Sequence, residues 1–223
     1  MGKSTVFDLI GPVMVGPSSS HTAGAVRLGA MALKILGNEP MEAEITLHGS
    51  FAETGKGHGT NLALVAGLLG MHTDDERIPK AFQIAEEKGI KIRFKTDNLG
   101  DVHPNTARFR LTGRQGNVVE VIGSSIGGGR IVVTRINEFQ VEVMGDFYTL
   151  ILLHQDLPGV VSQVTSILAT AQINIAQMHV SREKKGARAL TIVEADQAIE
   201  PAALTLMTRL PAVHQAMAIE PLE

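Results

Sequence analysis

Five side chains able to bond a small anion stand in a row at Ser18, Ser19, Ser20, His21 and Thr22, within Gly16-Pro17-Ser18-Ser19-Ser20-His21-Thr22-Ala23-Gly24. A helical apolar pattern follows at 23–36, so the row lies at a helix entrance. Hydroxyls and the free N–H groups of a helix start together accept a group such as a carboxylate. A cap alone needs one such residue, Ser20 or Thr22, rather than five.

A second polar segment runs Ser50-Phe51-Ala52-Glu53-Thr54-Gly55-Lys56-Gly57-His58-Gly59-Thr60-Asn61. His58 stands between glycines, which give its backbone freedom and let a small ligand approach. A neutral imidazole near pH 7 takes a proton from carbon when that carbon is acidified. Thr60 is placed to cap the helix that follows. The other reading is a glycine loop with a solvated His. The spacing has neither the Walker pattern nor the dinucleotide fingerprint, so nucleotide binding is rejected. A third segment, Gly123-Ser124-Ser125-Ile126-Gly127-Gly128-Gly129, exposes backbone amides between strands. Taken alone, it reads first as a flexible hairpin turn.

Composition removes several classes of function. The chain has 223 residues, 44% hydrophobic and 19% charged, with a net charge of −3. That is globular and lacks the basic footprint of a nucleic-acid binder. Aromatics are 4%, with no Trp, which disfavours base stacking. Cysteine is absent, so this chain forms no disulfide, thiol nucleophile or thiolate-held metal site. The histidines lack zinc spacing, so no metal site is expected in this chain. No stretch reads as a membrane span and no signal pattern stands at the start. A cytoplasmic location is the resulting expectation.

The elements that must hold these segments fall in two halves, 1–144 and 147–223, with Gly145 as the expected hinge. The first half reads as mixed α and β. Strands are predicted at 42–49, 90–95, 107–111, 118–122 and 130–136, helices at 23–36, 61–70 and 79–88, loops at 50–59 and 124–129, and a further strand at 139–143. The second half reads strand 147–154, helix from 160, strand 173–182 with a bulge near Ile175, strand 189–195, helix 201–210 and strand 213–219. That order, βαββαβ, is ferredoxin-like. The fold class is therefore α+β.

The second half resembles the ACT domain, a module that commonly binds amino acids, over about residues 147–220. The strand, Asp156-x-Pro158-Gly159, then helix carries the resemblance. It implies a regulatory ligand site at Asp156, Pro158, Gly159 and Asn174, and self-association through paired ACT modules. The plainer reading is that Asp156 caps the helix and Gly159 lets it start.

The three polar segments occur together, in this order, in a family. Gly-Pro-Ser-Ser-Ser-His-Thr at 16–22, Gly-x-Gly-His-Gly-Thr at 55–60 and Ser-Ile-Gly-Gly-Gly at 125–129 closely resemble the iron–sulfur L-serine dehydratases, in particular the β chain of the two-subunit bacterial type. The resemblance implies a first domain of the serine dehydratase β type, related to the allosteric substrate-binding domain of some phosphoglycerate dehydrogenases. It implies α,β-elimination of water from L-serine to give pyruvate and ammonia, within amino-acid catabolism that feeds gluconeogenesis. A 4Fe-4S cluster would act as Lewis acid on the serine hydroxyl. Because this chain has no Cys, the cluster's cysteines would belong to a partner α subunit. By the same resemblance His58 is the catalytic base. Ser18, Ser19, Ser20, His21, Thr22, Thr60, Asn61, Ser125, Gly127, Gly128 and Gly129 bind L-serine. The terminal Cys of single-chain relatives has no counterpart at Leu222-Glu223. The alternatives are a non-catalytic amino-acid-sensing regulatory subunit and a purely structural partner.

Overall fold

The computed structural model describes residues 14, 18–54 and 59–222; His58 therefore lies outside the described residues. The chain divides into two compact units, the first reaching Thr134 and the second Arg135–Leu222.

In the first unit a single π-helical turn, Ser19–Ala23, opens directly into helix α1, Gly24–Leu36. α1 buries Val26, Leu28, Met31, Ile35 and Leu36, and ends where the Gly37 N–H bonds Leu33 O. Strand β1 (Pro40–Leu47), helices α2 (Gly49–Thr54) and α3 (Thr60–Leu68), a 3-10 turn (Ile78–Lys80), helix α4 (Ala81–Glu87) and strand β2 (Lys91–Thr96) follow. β2 lies parallel to β1, so the three helices form its crossover connection. Strands β3 (Thr106–Gly113), β4 (Val118–Gly127) and β5 (Arg130–Ile136) continue the sheet in the order β2-β1-β3-β4-β5. β3 is antiparallel to both β1 and β4.

α3 buries Ala63, Leu64, Val65, Ala66, Gly67 and Leu68. A helix apolar on every side belongs inside, and α3 lies against α1. The two backbones cross at Gly29 and Gly67. A Cβ on Gly67 would lie 2.0 Å from Val26 O and 2.9 Å from Gly29 Cα. Leu28, Met31, Ile45, Phe51, Leu64, Phe109 and Leu111 are fully buried between these helices and the sheet. Each such burial stabilises by about 1.5–3 kcal/mol.

Three expectations need correction here. The segment at 50–59 does not start as a loop, since Gly49–Thr54 is α2. Fully buried Phe51 anchors that turn. Gly49 takes φ +51 where a Cβ would meet Pro104 O at 2.7 Å. Residues Ser124 and Ser125 lie in β4 rather than in a connecting loop. Ser124 pairs Thr106 across the ladder, and the Ser125 N–H reaches Asn105 O at 2.9 Å. Only Gly128 and Gly129 turn the chain. The helix expected at 79–88 is split into the 3-10 turn and α4.

The second unit contains strands β6 (Phe139–Val143) and β7 (Tyr148–Gln155), helix α5 (Val160–Thr170), strands β8 (Ile175–Arg182) and β9 (Arg188–Ala195), helix α6 (Pro201–Thr208) and strand β10 (Val213–Ile219). The sheet order is β10-β7-β9-β8, antiparallel throughout. This is the expected βαββαβ topology, and the register shift at Ile175/Gln177 is the expected bulge. Leu150, Leu152, Val164, Leu168, Val193, Ala203 and Met207 form its core. β6 packs beside β8 and β9.

Candidate functional site

Ser18 has extended backbone (φ −139°) and its Oγ accepts the His21 N–H at 3.2 Å. Ser18 is thus the cap, in place of Ser20 or Thr22. The Thr22 N–H donates to Ser18 O at 2.8 Å, which closes the turn. A π turn widens the backbone ring and is frequent at functional sites. Here it leaves Ser18, Ser19, Ser20 and His21 half-buried and turns Thr22 inward.

The turn packs against α1, α3 and β4. That packing gathers residues far apart in sequence. Ser125, on β4, faces the first residue of α1: a Cβ on Gly24 would lie 2.0 Å from Ser125 Oγ. Next to it, Ser124 Oγ bonds Thr106 Oγ1 at 2.7 Å, and Thr106 Oγ1 donates to His103 O at 2.5 Å. Arg27, one turn into α1, donates from Nη1 to Gly129 O at 3.2 Å, bringing the glycine turn to the same end of α1. Gly127, Gly128 and Gly129 hold φ of 101°, 61° and 77°, so each position favours glycine.

Gly59, at φ +72°, is the N-cap of α3, and no side chain caps that helix. Thr60 is therefore the first helical residue, not the cap. Its Oγ1 is buried with no hydrogen-bond partner among the described residues, as are Thr22 Oγ1, Asn61 Oδ1 and Ser125 Oγ. Buried polar atoms are nearly always bonded, and each exception asks for an explanation. Four exceptions on three elements that pack together define the candidate site. Its atoms are hydroxyl and amide groups suited to a small polar zwitterion.

His21 links this site to α2. Its Nε2 lies 3.1 Å from Ser50 Oγ and its Nδ1 lies 3.4 Å from Ser18 Oγ. Its ring meets Phe51 edge-on, with centroids 5.4 Å apart. Ser50, Phe51, Gly24 and Arg27 were not picked out by local sequence. Only Arg27 leaves a signal, as a cation in the first turns of a mostly apolar helix.

The second predicted site has a different character. Asp156 does not cap α5, whose N-cap is Gly159 at φ +91°. Asp156 Oδ2 instead accepts the Gly186 N–H at 3.0 Å and Arg182 Nη1 at 3.2 Å. The Gly186 amide first, and the Arg182 guanidinium after it, hold the Asp156 carboxyl below its usual range. Asn174 donates to Asp196 Oδ2 at 2.6 Å from its side chain, and to Gln197 Oε1 at 2.7 Å from its backbone. Asp156 and Asn174 are each tied to a different stretch of the unit. Pro158 and Gly159 are exposed.

Among the described residues, no group of three His, Cys, Asp or Glu is placed to hold a metal ion. No helix among them is long and apolar enough to cross a membrane. The sequence contains no Cys, so the donors of the site do not fit an iron–sulfur cluster.

The two units together define an α+β chain with a mixed α/β domain of the serine dehydratase β type followed by an ACT domain. The family model for the serine dehydratase beta chain matches residues 5–88, and that for the ACT domain matches residues 148–212. The chain is 45% identical over 219 residues to the probable L-serine dehydratase beta chain of Bacillus subtilis, spanning 98% of this chain and 99% of that one. It is 43% identical over 185 residues to the L-serine dehydratase beta chain of Peptoniphilus asaccharolyticus, spanning 82% of this chain and 83% of that one. A D-3-phosphoglycerate dehydrogenase of Synechocystis is 24% identical over 197 residues, covering 88% of this chain but 35% of its own length. The chain belongs to the serine dehydratase beta chain family.

Proposed function

We propose that this chain is the β subunit of an L-serine dehydratase and acts with an α subunit on L-serine. The reaction is α,β-elimination. A proton leaves Cα and hydroxide leaves Cβ, giving aminoacrylate and water. The enamine tautomerises to an imine, which a water molecule hydrolyses to pyruvate and ammonia. The observation that carries this reading is the set of buried atoms without a partner among the described residues, Thr22 Oγ1, Thr60 Oγ1, Asn61 Oδ1 and Ser125 Oγ, in a chain 45% identical to a dehydratase beta chain.

In this reading Ser18, Ser19, Ser20, His21, Thr22, Thr60, Asn61 and Ser125 hold the carboxylate and ammonium groups of L-serine. The Gly127, Gly128 and Gly129 turn admits the substrate close to backbone amides. His58 takes the Cα proton. The site's donors do not fit a 4Fe-4S cluster, so that cofactor and its cysteine ligands are assigned to the α subunit. No step performed by this chain depends on its holding one. The test is anaerobic co-expression with a cysteine-bearing partner, followed by assay of pyruvate from L-serine. Turnover that disappears in His58→Ala, with the cluster spectrum intact, supports the assignment. Near-normal kcat in that variant removes His58 as the base.

The likeness to a dehydrogenase across both units favours a second reading, an amino-acid-sensing regulatory subunit. It predicts that the isolated chain binds L-serine in a calorimeter and that His58→Ala leaves the chemistry untouched.

A further inference from the structure

We propose that Ser50 is a positioning residue for the imidazole of His21, and through it for the serine turn. The inference rests on the reading of the chain as a dehydratase β subunit, because it assigns Ser50 a part in that site.

Ser50 stands 29 residues from His21 in sequence, yet its Oγ lies 3.1 Å from His21 Nε2. The platform that carries it is fixed on several sides. Phe51, next to it, is fully buried. Phe51 N–H bonds Pro104 O, and Ala52 N–H bonds His48 O. Thr54 Oγ1 donates to Ser50 O at 2.7 Å. The Gly49 backbone lies too close to Pro104 for any larger residue. The hydroxyl of Ser50 therefore projects from a short helix with little freedom to move.

The ring of His21 is clamped from three directions, by Ser50 at Nε2, by Ser18 at Nδ1 and by the Phe51 edge. Ser18 Oγ already accepts the backbone N–H of His21. A serine hydroxyl donates one hydrogen bond and accepts others, so each contact suits either ring tautomer. Held at both nitrogens and along one edge, the ring keeps its plane. Because the backbone N–H of His21 also defines the cap of the turn, a ring held in place keeps the Ser18–Thr22 hydroxyls in register.

Two measurements test the proposal. In the αβ complex, Ser50→Ala should lower kcat for L-serine roughly five- to tenfold, the loss of one hydrogen bond, and Ser50→Thr should restore most of it. In the full-length chain alone, nitrogen-15 NMR should show His21 ring signals that shift in Ser50→Ala and return in Ser50→Thr. Unchanged ring signals in Ser50→Ala overturn the proposal. So does a kcat within about twofold of the parent, or a loss that Ser50→Thr does not restore. A parent complex that releases no pyruvate sinks the dehydratase reading, while the NMR comparison still reports on Ser50 and His21.

Discussion

Gly24, the first residue of α1, faces Ser125 near the C-terminal end of β4, so closely that a Cβ on Gly24 would fall 2.0 Å from Ser125 Oγ and 2.8 Å from Ser125 Cβ. Rotating the Ser125 hydroxyl relieves the first overlap but leaves the second. Gly24→Ala is expected to destabilise the chain by about 1–3 kcal/mol, the usual range for overpacking. It should also displace Ser125 from the candidate site. Thermal unfolding of the chain and pyruvate release by the complex measure the two effects. A variant with unchanged Tm and turnover contradicts this contact.

Thr60→Val separates fold from function at one atom. The Thr60 hydroxyl is fully buried without a partner among the described residues, so the fold does not gain from it. Replacing such a group by an apolar one of the same shape is neutral or stabilising, by about 1 kcal/mol here. If the hydroxyl serves the substrate, the same variant raises KM for L-serine. Higher denaturant midpoint with weaker substrate binding is the expected pair. Lower stability with normal KM would mean the hydroxyl serves packing alone.

Glu194, on β9, gives the second unit a dependence on pH. It is almost fully buried, and Met144 N–H reaches its Oε1 at 3.4 Å. Burial first, with Asp146 and Glu142 adding repulsion, raises its pKa above 4.5, while the Met144 amide opposes the rise. A carboxyl with a raised folded pKa favours folding most when protonated. Its contribution is complete below the unfolded value and declines as pH rises through the folded one. Glu194→Gln should therefore match the parent near about pH 4 and exceed it in Tm near about pH 8. Equal pH profiles for the two proteins would refute this.

Asp156 has the opposite sign. Its pKa is lowered below 3.8 by the Gly186 amide and then by Arg182. The stability it supplies is present above the unfolded value and is lost as pH falls through the folded one. Asp156→Asn should flatten the acid limb of the Tm profile and move the Gly186 amide resonance. If the resonance stays fixed, Asp156 does not hold the β8–β9 turn.

The sequence was most legible where one face of an element is buried. The alternation of the second half announced βαββαβ, and even its slip near Ile175 marked a true bulge. Around the site the signals were partial. Five polar residues in a row marked the turn, but nothing local distinguishes a π turn from an α-helical entrance. α2 was hidden because Gly49, Ser50 and Thr54 have loop-like composition, and the helix exists through burial of Phe51. Ser124 and Ser125 looked like loop because of the glycines beyond them, whereas pairing with β3 extends the strand. The Ser50–His21 and Asp156–Gly186 bonds join residues 29 and 30 positions apart, and no short-range pattern encodes them.

The crossing of α1 and α3 at Gly29 and Gly67 has a reach beyond packing. With bare backbones in contact there, neither helix slides along its neighbour without a collision. The spacing between the serine turn and Thr60 is thus set like the jaws of a fixed-width spanner, whose rivet lies deep inside the handle. A side chain as small as alanine at either glycine would reset the gap, and so move the groups of the proposed site through a substitution that touches none of them.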